Sequence, residues 1–208
     1  MTPRQRGGQP TRARSRLVRR ELLVFTEGKK TEEGYLIHWW RANRDQVTVT
    51  IDDFHGGPLP LVHRAAAAKR TEASEERRGR GRSHDEVWCV FDRDEHPNVP
   101  QALDKAAANG IGIALSNPCI ELWFLLHFDD QTAHLERHEA QSRSKTLLGC
   151  EKALTPAALA EMEARYADAR TRAVNLDERH AGDGSPRHSN PSSNLWELVD
   201  RLRSPASP

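Results

Sequence analysis

The chain has 208 residues, 37% hydrophobic and 29% charged, with a net charge of +1 and a mean hydropathy of −0.76. That is enough for one core of ordinary size beneath a heavily charged surface. The longest apolar run, Leu122 to Leu126, is far too short to cross a bilayer, so no membrane attachment is expected. Cys89, Cys119 and Cys150 are odd in number and widely spaced, which argues against a disulfide framework and against a cysteine zinc site. The basic N-terminus has no apolar segment of the kind a signal peptide needs, and the reading is a cytoplasmic protein.

In chain order, the segment from Met1 to Arg20 carries seven arginines and no acid, interspersed with glycine and proline. Residues 1–19 are therefore expected to form a disordered basic arm, which either tracks phosphates through counterion release or serves only as a solubilising tail. Glu21 to Thr26 (ELLVFT) is nearly continuous in apolar residues, as in a strand buried on both faces. Glu27-Gly28 forms a turn, and a helix follows from Thr31, read as its N-cap, to about Asn43. Val47 to Ile51 is β-branched throughout and reads as a second strand. A helix from about Leu61 to Arg78 runs into the basic cluster Arg77, Arg78, Arg80 and Arg82.

The third strand, Glu86 to Phe91, ends directly on Asp92-Arg93-Asp94. A helix over about Gln101 to Asn109 is closed by Gly110, a good residue for a helix end. The fourth strand, Ile111 to Leu115, leads through Ser116-Asn117-Pro118 into a short apolar helix, Ile120 to His127. This alternation predicts an α/β domain over residues 20–128, with a parallel four-stranded sheet of order 2-1-3-4 flanked by helices. Residues 129–208 read as a helical extension packed on the same domain. It contains an amphipathic helix over Thr155 to Val174, a loop over Gly182 to Ser193, and a terminal helix over Asn194 to Arg203.

Chemistry concentrates at the strand ends. In open parallel sheets, ligands sit beyond the carboxyl ends of the strands, where the strand order reverses. If the first and third strands are neighbours, Glu27, Asp92 and Asp94 converge there. Clustered carboxylates repel unless a cation neutralises them or one keeps a proton, and oxygen-only ligands suit Mg²⁺ or Mn²⁺. Glu27 is a candidate general acid/base or further ligand. Glu121, just after the fourth strand, is either another ligand at the same crevice or a carboxylate that is exposed or otherwise partnered. Lys29 and Lys30 are candidate phosphate holders near the amino end of the first helix, and Arg93 is a further phosphate or nucleic-acid contact. Asn117 and Ser116 are read either as phosphate donors or as a cap before Pro118. His55 and His96 are second-line candidates. The bland alternative is that acids after strands form turns, since Asp-x-Asp alone is a weak signal that other metal-dependent enzymes share.

Three stretches carry a family resemblance: Thr26-Glu27-Gly28-Lys29-Lys30-Thr31-Glu32, Val90-Phe91-Asp92-Arg93-Asp94-Glu95-His96, and Ser116-Asn117-Pro118-Cys119-Ile120-Glu121-Leu122-Trp123-Phe124-Leu125-Leu126-His127-Phe128. Here the chain resembles the Toprim superfamily and, within it, the RloB-like family. The resemblance implies a Toprim fold, Mg²⁺ dependence and nuclease action in antiviral defence or restriction-linked loci, with nucleic acid as substrate and an RloA-like ATPase as partner. Many Toprim proteins carry a further acid two residues beyond the Asp-x-Asp, where this chain has His96, with Glu95 offset by one. Two other readings remain open: a different Toprim phosphotransfer enzyme using the same acids, or a non-catalytic nucleic-acid-binding subunit of an ATPase complex. Oligomeric state is left open.

Overall fold

The computed structural model describes residues 19–93, 96–150 and 153–204. Asp94, one of the three acids expected at the site, lies outside the described residues, as do residues 1–18 of the basic arm.

Strand β1 (Arg20–Thr26) lies between β2 (Val47–Ile51) and β3 (Glu86–Asp92), and pairs with both in parallel. Its apolar run is continuous because both faces are covered. Leu22 and Val24 join one buried cluster, while Leu23 and Phe25 join another. The same period of two divides β3, with Trp88 and Val90 on one face and Val87, Cys89 and Phe91 on the other. Helices α2 (Pro58–Arg77) and α3 (Val99–Asn109) cover the Leu23 face through Leu61, Val62, Ala102 and Ala106. Helices α1 (Thr31–Ala42) and α4 (Ile120–Leu126) cover the other face through Tyr35, Leu36, Trp39, Leu122 and Trp123. Each such fully buried side chain contributes roughly 1.5–3 kcal/mol of hydrophobic stabilisation.

The sheet departs from the four-stranded parallel expectation. Strand β4 (Gly112–Asn117) pairs in parallel with β3, and a fifth, two-residue strand, β5 (Ser192–Ser193), pairs antiparallel with β4. The order is β2-β1-β3-β4-β5. Ser192-Ser193 has no apolar signature, and the pairing is made by polar groups. Ser116 Oγ lies 2.8 Å from Ser193 Oγ. The Asn194 side chain accepts from Leu115 N at 2.7 Å and donates to Ile113 O at 2.8 Å, occupying the β4 edge as a strand residue would. Gly112 sits opposite Trp88 in the register, where a Cβ would collide with the indole ring, so a glycine is required.

The C-terminal region is also divided differently from the expectation. Helix α5 (Arg137–Leu148) precedes two helices, α6 (Pro156–Ala164) and α7 (Tyr166–Gly182), where one helix over Thr155 to Val174 was expected. The break falls at Arg165, whose backbone leaves the helical region at φ −103°, ψ 10°. Local propensity in this Ala- and Glu-rich stretch favours an uninterrupted helix. Tertiary packing overrides it, because the turn places Tyr166 edge-on to Trp39, with ring centroids 5.0 Å apart. Helix α8 (Leu195–Arg203) closes the layer. Met162, Tyr166, Ala173, Leu198 and Leu202 all belong to the same buried cluster as Leu22 and Trp123. Among the described residues, no helix is long and apolar enough to cross a membrane.

Candidate active site

Parallel pairing in register carries the ends of β1 and β3 to the same level. Thr26 lies opposite Val90, and the ladder continues one step further as Glu27 N donates to Val90 O at 3.0 Å. Beyond this point opens a cavity of about 330 Å³. Four carboxylates line it: Glu27 after β1, Glu32 in the first turn of α1, Asp92 at the end of β3, and Glu121 in the first turn of α4. Facing them are Lys29 and Lys30 from the β1–α1 turn, together with Arg137 and Gln141 from α5.

Glu27 is held on both oxygens. Oε2 accepts from the Asp92 backbone N–H at 3.2 Å, and Oε1 accepts from His96 Nε2 at 2.9 Å. Glu32 is 8% exposed. It folds back over Gly28, where a Cβ would lie 2.5 Å from Glu32 Oε2, so glycine makes room for this acid. Burial raises the Glu32 carboxyl above its ordinary range. The N–H groups of Glu32 and Gly28 oppose that shift, and the charges of Glu27 and Glu121 reinforce it. Asp92 is pushed well above the usual carboxylate range, first by burial and then by Glu32, Glu121 and Glu27; Arg137 pulls the other way. Among the described residues, no three His, Cys, Asp or Glu side chains are gathered so as to hold a metal ion.

The remaining candidates are placed around this pocket. Lys30, and not Thr31, is the N-cap of α1. His55 donates from Nδ1 to Thr26 O at 3.1 Å, with its Nε2 3.5 Å from Glu33, so it buttresses the turn from outside the pocket. Asn117 is nearly buried, and its amide donates to His188 O at 2.7 Å, tying the end of β4 to the loop before β5. The N-cap of α4 is Cys119, which makes no side-chain cap bond. The Arg93 N–H donates to Ser116 O at 2.8 Å, and its charge helps to lower the His188 imidazole. Of the basic cluster, Arg78 and Arg80 pair with Glu75 at 3.0 and 2.6 Å.

Glu32, Arg137 and Gln141 are pocket residues that the sequence reading did not assign. A signal for Glu32 exists. It falls on the stripe Glu32, Tyr35, Leu36, Trp39, which has the i, i+3, i+4, i+7 spacing of a buried helix face. A carboxylate on such a stripe is either misplaced or reserved for a site. Arg137 and Gln141 have no comparable local signal, since they reach the pocket from α5, a helix that packs on α4.

No curated protein and no solved structure matches the chain. The model of the RloB-like protein family matches residues 22–202, and the chain belongs to that family.

Proposed function

We infer that the chain is a divalent-metal-dependent phosphodiester hydrolase of the Toprim type, cutting nucleic acid strands. The reading extends to antiviral defence alongside an RloA-like ATPase, as the resemblance of its motifs implies. The observation that supports it most is that Glu27, Glu32, Asp92 and Glu121 all line one cavity at the carboxyl ends of parallel strands, with burial and mutual repulsion raising Asp92 and Glu32. A fold gains nothing from like charges held together in a partly dry pocket, and a cation relieves them.

The donor set is oxygen-bearing and suits Mg²⁺ or Mn²⁺, with Glu27, Asp92 and Glu121 as the residues to hold it and Asp94 of the same motif as a further ligand. When bound, such an ion polarises a phosphoryl oxygen and offsets charge on the attacking and leaving oxygens. The chain's own groups do the rest. Glu27 is oriented by the Asp92 N–H and His96, which supports it either as a ligand of the ion or as the group that takes up and returns a proton. Lys29 and Lys30, both exposed at the pocket mouth, attract the polyanionic strand.

The test is Mg²⁺- and Mn²⁺-dependent cleavage of labelled DNA and RNA, comparing the natural chain with Asp92→Ala. Cleavage that requires metal and disappears in the variant supports the hydrolase and identifies its substrate. Strand extension or modification in place of shortening would assign a different phosphotransfer reaction to the same acids. Tight strand binding that Asp92→Ala leaves intact or improves, with no turnover, would assign the non-catalytic reading.

A further inference from the structure

The pocket mixes charges. Glu27, Glu32, Asp92 and Glu121 line it together with Arg137 and Gln141, one turn apart on α5. Helix α5 is anchored by Ala140 and Ser144, which are buried on the same stripe. That stripe therefore fixes the direction in which Arg137 and Gln141 project. Arg137 is half-buried, and its charge is felt at Asp92 across the cavity. A guanidinium carries a planar fork of N–H donors whose geometry matches two oxygens of one phosphate, and an amide such as that of Gln141 adds a neutral donor.

We propose that Arg137, supported by Gln141, is the phosphate-holding residue of this pocket, gripping the phosphodiester next to the acids through its oxygens and not through its base. The proposal rests on the hydrolase reading for the location of the reacting phosphate. It adds a ligand group that the three sequence blocks do not contain. Because phosphates are common to every nucleotide, the contact contributes affinity and registers the strand without selecting sequence.

The experiment is fluorescence anisotropy on labelled oligo(dT), oligo(dA), oligo(U) and oligo(A), with the full chain in Ca²⁺, across a salt series. Arg137→Ala, Arg137→Lys and, as a control on the far side of the fold, Arg70→Ala are compared with the natural chain. Arg137→Ala is expected to weaken all four strands by about tenfold and to lower the slope of log affinity against log salt by about one. Arg137→Lys should restore that slope while recovering only part of the affinity, because the charge returns without the fork. Arg70→Ala should change neither.

An unchanged salt slope in Arg137→Ala, a loss confined to one base, or no strand binding by the natural chain would each overturn the assignment. Full recovery by lysine would also do so, since that is the behaviour of a simple counterion to the acids. Cleavage assayed with the same proteins and strands in Mg²⁺ and in Mn²⁺ keeps the two proposals apart. Strand binding with the expected Arg137 dependence but no metal-dependent cutting removes the hydrolase and leaves the phosphate grip standing.

Discussion

Helices α1 and α4 run from the pocket into the core, so each has one end among the acids and the other among aromatic rings. At the core end, buried polarity is neutral and partly paired within the chain, although Trp39 Nε1, Trp196 Nε1 and His127 Nε2 have no hydrogen-bond partner among the described residues. Trp123 Nε1 donates to the Tyr35 hydroxyl at 2.7 Å, Tyr166 donates to Asp200 at 2.6 Å, and His127 Nδ1 donates to the Trp123 carbonyl at 2.8 Å. At the pocket end the same two helices contribute Glu32 and Glu121, which face Glu27 and Asp92 across a cavity. The core end tolerates polarity by keeping groups neutral and by pairing some of them. The pocket end accumulates like charge that packing alone does not require. Such a contrast within one pair of helices separates what the fold needs from what a ligand needs.

The largest effect is expected at the core end. Trp123 is fully buried and touches His127 and Tyr166 as well as Tyr35. Trp123→Ala should cost about 3–5 kcal/mol, from lost burial and an unfilled cavity. Urea denaturation checks this, and a loss under about 1 kcal/mol, within the range of ordinary surface changes, would mean that the aromatic cluster is not the keystone of this face.

How much of this contrast is legible in the sequence differs between its halves. ELLVFT and EVWCVF announce strands buried on both faces, and Asp92 at a strand end follows from that placement alone. The fifth strand is not legible, because Ser192-Ser193 pairs through hydroxyls and through the Asn194 amide, none of which produces a hydrophobic pattern. The helix break at Arg165 is hidden for the opposite reason: local propensity favours a single helix, and only the ring contact of Tyr166 with Trp39 enforces the turn. Glu32 is legible to anyone who asks why a carboxylate occupies a buried stripe. Arg137 is not, because it reaches the acids from a separate helix more than a hundred residues after Glu27.

A second effect, about 2 kcal/mol at pH 5, belongs to His127. Burial, opposed by acceptance at the Trp123 and Phe124 carbonyls and assisted by Arg172, lowers this imidazole to about 4. The unfolded chain titrates near 6.5, so it binds the extra proton first. The contribution is fully present above about pH 6.5 and is lost as pH falls toward 4. In His127→Phe the loss should shrink, and the difference between the two stability curves from pH 7.5 to 5 isolates this residue from the other titrating groups. A difference that stays flat across that range would show that the imidazole is solvated in the folded state.

At the pocket end, Gly28→Ala places a methyl group against the Glu32 carboxylate. Overpacking of this kind costs about 1–2 kcal/mol when the neighbour has to move. The shift should be relieved by the companion change Glu32→Ala, so a double-mutant cycle in thermal unfolding should return a coupling of similar size. Additive effects would mean that Glu32 swings clear without cost and is not pinned over the turn.

The smallest effect has the most informative sign. Asp92→Asn removes a charge that burial and three neighbouring carboxylates already disfavour, so in metal-free buffer it should stabilise the fold by about 1 kcal/mol, the usual size of the gain when a functional residue is released from its task. Adding Mg²⁺ or Mn²⁺ should then reverse the order. The natural chain gains stability with the logarithm of metal concentration, whereas the variant stays where it is. Melting curves at several metal concentrations read both halves at once. A variant less stable than the natural chain without metal would mean that the Asp92 carboxyl is a structural hydrogen-bonding group, and the contrast between the two ends of α1 and α4 would then lose its functional meaning.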